Sequence, residues 1–418
     1  MNSRWWIVFA SVLGLLVGNG PIMQFTFGVL LAPISREFGW NRGTVSSAIV
    51  IGLWMTGMAT PVVGRWVDRF GIRPVALPAI ALFSLATASV ALVPASPAAF
   101  TALYALMGLG AAGQTPLIYA KAISARFDEK RGLALGIAMA GVGLGAAVVP
   151  QFAQALTGVA GWRGAYAGLG GLTFALAFPA VALFIGRQAP APPVSDVLAQ
   201  NRSATQMPGL TGYQAVRTAT FWRLAISFFI VAAATGGAIA HIVPLLTDRG
   251  VSPQTATRLL TLAGLALIAG RLLAGNLLDR VFAPYVTAAF FLAPLIGIAV
   301  LLVASEPQPA AIGTLLVGIG LGAEVDLIAF LLSRYLGMRS FGEIYGYFFA
   351  IFMLGAGLGP FAMGVSFDRT GSYKLMLVCF GLALAPASLM MLRLGPYAYP
   401  ARRPSVELAS LPQSPARR

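Results

Sequence analysis

One arginine, two carboxylates, one histidine and two glutamines fall inside runs that are otherwise apolar: Arg271, Glu324, Asp326, His241, Gln24 and Gln114. Arg271 lies eight residues before Asp279, about 12 Å along a helix, so its guanidinium is set well inside any bilayer the chain crosses. An unpaired arginine there costs at least ~2.5 kcal/mol, which a partner or a wet cavity must offset. Glu324 and Asp326 are the two acids at comparable depth. Two residues apart on a helix is about 200°, so the pair cannot both face Arg271: one can pair with it while the other faces the cavity or a different helix. Two readings of this cluster stay open. It is either a structural lock between helices or a site in which Arg271 takes a substrate carboxylate in a bidentate fork. In the second reading a desolvated acid, Glu324 or Asp326, carries a coupling proton. With both acids ionised the three charges sum to minus one, which disfavours an entering anion unless a proton accompanies it. His241, about 9 Å from the end of its span, is a proton relay or substrate donor, or equally a histidine hydrogen-bonded within a bundle. Gln24 and Gln114 are cavity donors or interhelical glue.

These residues must be positioned by membrane helices. The 418-residue chain is 58% hydrophobic and 10% charged, with mean hydropathy +0.82, which excludes a water-soluble enzyme and a disordered chain. Continuous Ala, Leu, Gly, Val and Phe runs of about 20 residues imply helices rather than a barrel. Twelve are discernible, at roughly 6 to 33, 43 to 64, 74 to 94, 98 to 120, 132 to 155, 164 to 186, 221 to 246, 259 to 279, 285 to 304, 309 to 332, 344 to 366 and 374 to 393. The first reads as a retained span rather than a cleaved leader. Residues 187–220, with Pro190, Pro192 and Pro193, read as a cytoplasmic linker between an N-terminal bundle, 1–186, and a C-terminal bundle, 221–394, ahead of a cytoplasmic tail, 395–418.

Of the 28 Lys and Arg residues, seven (Arg36, Arg42, Arg163, Arg249, Arg258, Arg369, Lys374) fall on the face away from the termini, Arg271 lies within a span, and the remaining twenty share the terminal face. That asymmetry puts both termini in the cytoplasm of a plasma-membrane protein. The net charge of +15 is therefore topological, and no nucleic-acid partner is implied. One cysteine and one histidine supply no metal site, and no cofactor or nucleotide motif occurs. The absence of Gly-x-Ser-x-Gly and paired histidines argues against an enzyme.

The halves repeat. A shift of 210 superposes Gly108, Gly110, Gly132, Gly136, Gly145 and Pro150 on Gly318, Gly320, Gly342, Gly346, Gly355 and Pro360. A shift of 211 superposes Gly64 and Asp68-Arg69 on Gly275 and Asp279-Arg280. Six spans per half give both copies the same orientation, an arrangement suited to rocking about a midplane cavity. Gly18, Gly20 and Pro21 break the first span, and the glycine runs 141–145 and 355–360 give smooth faces for sliding or for close static packing.

The order Gly64-x3-Asp68-Arg69-x-Gly71-x-Arg73, repeated as Gly275-x3-Asp279-Arg280, resembles the signature of the major facilitator superfamily, and the resemblance covers about residues 5 to 395. It implies an all-α polytopic protein of twelve transmembrane helices in two pseudo-symmetric six-helix bundles, with these residues as a cytoplasmic gating motif. Glu37-Phe-Gly-Trp40-Asn-Arg42, Arg126-Phe-Asp-Glu-Lys-Arg131-Gly-Leu-Ala-Leu-Gly136 and Gly161-Trp-Arg163 are similar to the monocarboxylate porter and oxalate/formate antiporter branch. In that branch an eighth-span arginine anchors the substrate carboxylate, a role the resemblance transfers to Arg271. The expected function is proton-coupled or exchange transport of a small organic monocarboxylate by a monomer, with no cofactor. The alternative is a proton-driven exporter of cationic or amphipathic compounds, since two intramembrane acids could also hold a cation. Departures from the branch are Leu267 where an aspartate is expected, no lysine in the first span, and no basic residue between Glu343 and Arg369. One buried cation favours a monoanion.

Overall fold

A computed structural model describes residues 4–124, 126–127, 130–185 and 208–399, apart from the side chains of Asp68, Leu117 and Arg131. Most of the predicted linker and all but the start of the predicted tail lie outside the described residues. Among the described residues the protein is helical, with one isolated bridge, Gly209 to Gly337, and no strand.

The helices are α1 (Trp5–Leu16), α2 (Phe27–Phe38), α3 (Arg42–Phe70), α4 (Ile72–Ser89), α5 (Pro97–Ala111), α6 (Pro116–Ser124), α7 (Arg131–Phe184), the short α8 (Gly212–Ala215), α9 (Ala219–Thr247), α10 (Pro253–Leu278), α11 (Ala283–Val303), α12 (Pro307–Tyr335), α13 (Phe341–Thr370) and α14 (Lys374–Leu392). Among the described residues, ten helical stretches are long and apolar enough to cross a bilayer. The stretch Gly132–Phe184, 53 residues, would be about 80 Å long if straight. It turns back at Gly161, whose φ of 67° and ψ of 179° suit glycine, and so makes two crossings. The pair α5 and α6, separated by a 3-10 turn at Ala112–Gln114, makes one more, giving the twelve that the apolar runs predict.

Breaks in the helices follow from local chemistry. After α1 the chain passes through a π turn, Gly20–Phe25, in which Pro21 has no N–H to donate. Buried hydroxyls return to their own helix, as in Ser11 to Ile7 O, Thr87 to Phe83 O, Thr287 to Ala283 O and Thr314 to Ala310 O. Each of these four hydroxyls is then satisfied within hydrocarbon. Leu85, Leu183, Val303 and Leu382 are two-thirds or more exposed, an arrangement stable only against lipid.

The two halves meet along α3 with α13 and along α7 with α10. A Cβ added to Gly57 would lie 3.0 Å from Met353 Cβ, and one on Gly364 would lie 2.9 Å from the Arg42 carbonyl carbon. Gln151 Nε2 on α7 donates to Thr257 O (2.6 Å) and Thr261 Oγ1 (3.1 Å) on α10. On the terminal face the chain entering α8 pairs with the loop after α12, where Leu210 N–H donates to Leu336 O (2.9 Å) and Met338 N–H to Pro208 O (3.0 Å). The first tail residues dock beside it: Tyr397 packs against Phe282, Phe330 and Tyr335 and accepts from Ala283 N–H.

Candidate functional site

The broken helices surround a cavity of about 140 Å³ between the halves. Asn19 and the π turn after it, with Pro21 and Gln24, contribute one side, the break between α5 and α6 contributes Gln114, Thr115 and Pro116, α3 contributes Thr60, and α10 contributes Leu267 and Arg271. Leu321 and Val325 of α12 and Tyr345, Phe349, Phe352 and Met353 of α13 close the opposite wall. Helix interruptions at this depth are tolerable because the freed backbone lines a cavity rather than lipid.

Among the described residues, Arg271 is the one charged residue lining this cavity. Its Nε donates to Asp326 Oδ2 at 3.0 Å and to Gly322 O at 3.4 Å, both on α12. Its Nη1 is buried and, among the described residues, has no partner. The pair is therefore engaged along one edge of the guanidinium and free at Nη1. Tyr345 lies within electrostatic reach of both members. Three other polar atoms in the cavity, Gln114 Oε1 and Nε2 and Asn19 Oδ1, are likewise buried without a partner among the described residues. Buried polar groups are nearly always hydrogen-bonded, so several unsatisfied ones converging on one space mark a place for water or solute.

The two acids divide as their spacing requires. Asp326 holds Arg271, whereas Glu324 is fully buried, accepts from Thr235 Oγ1 of α9 at 2.9 Å and leaves Oε2 unpaired. Neither acid lines the cavity. Leu267, where the branch has an aspartate, does line it. Gln24 and Gln114 come together with Arg271 there.

His241 is placed elsewhere. It is fully buried near the face away from the termini, the far face, and is not among the cavity-lining residues. Its Nε2 lies 2.8 Å from Pro360 O, which can only accept, so Nε2 carries the proton. Nδ1 then accepts from the Tyr373 hydroxyl at 3.1 Å, and that hydroxyl accepts from Arg42 Nη1. Burial pushes the Tyr373 phenol above its ordinary value against the opposing pull of Arg42, so it remains a donor. Arg42 in turn grips Asp248 with both terminal nitrogens (2.6 and 2.9 Å) and stacks on Phe367 at 3.7 Å. Asp368 accepts from Arg42 N–H (2.9 Å) and Gly43 N–H (2.6 Å). The chain Asp248, Arg42, Tyr373, His241, Pro360 thus bolts the halves together on the far face. Sequence reasoning missed this bolt, along with Asn19: the bolt's members are up to 331 residues apart, and the break beside Asn19 was legible while the direction of its side chain was not.

The terminal-face motif is arranged differently. Gly71 (φ 86°) caps α3, and Arg69 lies over the Phe70 ring at 5.3 Å. The Asp68 side chain is outside the described residues. Arg73, Asp279 and Arg280 make no side-chain hydrogen bond or ion pair among the described residues, and a Cβ on Gly64 or Gly275 would meet nothing within 4 Å. The far face is closed by packed helices and a charged bolt, whereas Arg73, Asp279 and Arg280 of the terminal-face motif make no comparable contact among the described residues.

The model of the Major Facilitator Superfamily matches residues 13–360. The chain belongs to this superfamily. Among superfamily relatives, human (Homo sapiens) monocarboxylate transporter 11 is 25% identical, covering 96% of this chain and 85% of that one. The oxalate:formate antiporter of Oxalobacter formigenes is 25% identical over 94% of this chain and 93% of its own. Among solved structures, that of the nucleoside transporter NupG matches with a TM-score of 0.73 at 12% identity, covering 93% of this chain and 98% of that one. A bacterial homologue of the lysosomal transporter Spinster matches with a TM-score of 0.66 at 17% identity, covering 93% and 96%. These two likenesses show a shared fold. The chain is accordingly a multi-pass membrane transporter and not an enzyme.

Proposed function

We propose that the protein carries a small organic monocarboxylate across the plasma membrane by alternating access, coupled to protons or by anion exchange. The observation that carries this reading is the guanidinium of Arg271, the one charge lining the cavity among the described residues, with Nη1 unpaired among them. An anion there gains charge-assisted hydrogen bonds that a neutral solute cannot make. Gln114, Gln24 and Asn19, from the other half, face it across the cavity and supply neutral hydrogen bonds to the same solute. The names of the relatives, a monocarboxylate transporter and an oxalate:formate antiporter, point to the same solute class. A cation exporter finds no comparable support, because neither Glu324 nor Asp326 lines the cavity.

Coupling follows from the shared guanidinium. A substrate carboxylate and Asp326 compete for Arg271, and the acid that loses the neighbouring cation takes a proton more readily. Asp326, partly exposed beside Arg271, is thus the coupling site that stands in for the aspartate replaced by Leu267, and the fully buried Glu324 tunes the field from behind. Between the bundles 1–186 and 221–394, rocking exposes Arg271 to either side. With twenty basic residues on the terminal face, that face is cytoplasmic, so the form described is open inward, and a single copy encloses the whole site.

The test is uptake of labelled acetate, lactate and pyruvate into proteoliposomes with and without an inward-acid gradient, for the parent chain and Arg271→Gln. Stimulation by the gradient, or exchange against internal carboxylate, is expected in the parent and a loss of about a hundredfold in the variant, the scale of charged hydrogen bonds. Equal uptake by both overturns the anchor. Asp326→Asn should retain exchange and lose the gradient dependence.

A further inference from the structure

Four aromatic side chains run up one face of α13, from its first residue on the terminal face to the middle of the bilayer: Phe341, Tyr345, Phe349 and Phe352. Consecutive rings are 5.9, 6.1 and 6.4 Å apart between centroids and tilted by only 28°, 15° and 25°. The row covers about 16 Å of helix. Spacing of three and four residues places such side chains on one face, and the usual use of that face is core packing. Here the last three instead form the cavity wall beside Arg271, with Tyr345 in reach of the Arg271–Asp326 pair. The polar groups are segregated from them, for Asn19, Gln24, Gln114 and Thr115 all lie in the N-terminal half.

The volume makes the wall informative. A cavity of about 150 Å³ takes up a benzene ring, and this one measures about 140 Å³. Acetate or lactate bound at Arg271 would leave most of the aromatic wall bare. A single ring carrying its carboxylate on none, one or two carbons fills the space and places the ring against the row, where offset or edge contacts between π systems are favourable.

We propose that the preferred cargo is a monocyclic aromatic monocarboxylate, held by its carboxylate at Arg271 and by its ring on Tyr345, Phe349 and Phe352, so that these three side chains set specificity. The row reaches the terminal-face end of α13, and its outermost member, Phe341, offers the departing or arriving ring a first contact at the mouth. This assignment rests on Arg271 as the carboxylate anchor.

The test is competitive binding to the purified full chain in nanodiscs, read as displacement of radiolabelled benzoate and as the ligand-dependent shift in melting temperature. The competitors are benzoate, phenylacetate, cyclohexanecarboxylate, acetate, lactate and benzyl alcohol. Benzoate and phenylacetate should bind roughly tenfold or more tightly than acetate and lactate, the scale of one or two aromatic contacts. They should also outcompete cyclohexanecarboxylate, with benzyl alcohol not binding. Phe349→Ala should reduce the ratio of benzoate to acetate affinity about fivefold, and Phe349→Leu, which keeps apolar volume, should reduce it nearly as much. If acetate and lactate bind as tightly as benzoate, or cyclohexanecarboxylate matches it, the aromatic assignment is overturned while the anchor stands. If benzoate binds the parent and Arg271→Gln equally, or no carboxylate binds at all, the anchor itself fails and this inference with it. Should the Phe349 variants not fold, the panel on the parent chain decides.

Discussion

The two ends of the cavity are built from the same helices and are in opposite states. Toward the far face, α3 and α13 approach so closely that side chains beyond glycine do not fit: a Cβ on Gly357 would lie 2.9 Å from Val50 Cα, and one on Gly364 equally near the Arg42 backbone. Toward the terminal face the glycines at the ends of the corresponding helices, Gly64, Gly132, Gly136, Gly275 and Gly342, would meet nothing within 4 Å. The helix glycines are thus packed at one end and bare at the other. The comparison teaches that closure is local: glycine stripes make the contact possible, and charged groups at the rim hold it. A transporter that exposes Arg271 alternately must exchange these two conditions.

The largest effect should come from making the packed end unable to close. Gly364→Leu forces a side chain into the Arg42 backbone, a clash with no flexible neighbour to yield, and the far end must separate. With Cys379→Ser removing the single native thiol and Val325→Cys placing one in the cavity wall, labelling by a membrane-impermeant thiol reagent added at the far face should rise tenfold or more. Gly275→Leu is the reciprocal change. It meets nothing in the present state but obstructs the opposite one, so transport should fall with no gain in far-face labelling. Unchanged labelling in Gly364→Leu would sink the comparison.

How much of this was visible in the chain itself depends on whether the physics is local. Charges in hydrocarbon need partners, so Arg271 and the α12 acids announced themselves, and the 200° between Glu324 and Asp326 forecast that one alone would pair. It could not say which, because that depends on the rotation of α12 relative to α10. The break at Gly18 to Pro21 was legible from glycine and the missing proline N–H. Depth for His241 could be counted along its helix, but its azimuth could not, and the azimuth turned it into the bolt rather than the cavity. The bolt itself joins three loops whose approach is a property of the closed state, and the aromatic row was hidden because i, i+4 aromatics on a helix look the same whether they pack a core or line a void.

A smaller effect is expected from the rim. Arg42→Ala removes the bidentate grip on Asp248, the contact with Tyr373 and the stacking on Phe367, but leaves the glycine contacts in place. Partly exposed ion pairs contribute on the order of 1 kcal/mol, so far-face labelling of the same cavity cysteine should rise by roughly fivefold, short of the wedge. Asp248→Asn should give part of that change. Labelling in Arg42→Ala equal to that in Gly364→Leu would mean that the charges, and not the packing, hold the far end shut.

The smallest effect separates a bolt between halves from a brace within one. Glu37, at the end of α2, accepts from Trp162 Nε1 at 2.5 Å and from Arg163 Nη2 at 3.0 Å, just past the bend in α7, and Arg163 Nη1 also donates to Ala91 O and Val93 O at the end of α4. This cluster is on the same face as the Arg42 bolt and has the same chemistry, an arginine on a carboxylate among aromatic rings. All its members belong to the N-terminal half, so its geometry is unchanged when that half moves as a unit. Glu37→Gln should therefore lower the unfolding free energy by about 1 kcal/mol, seen as a modest drop in melting temperature, and leave far-face labelling at the parent value. If Glu37→Gln instead raises labelling as Arg42→Ala does, the N-terminal half deforms during closure, and the contact between α3 and α13 cannot be treated as two rigid faces meeting.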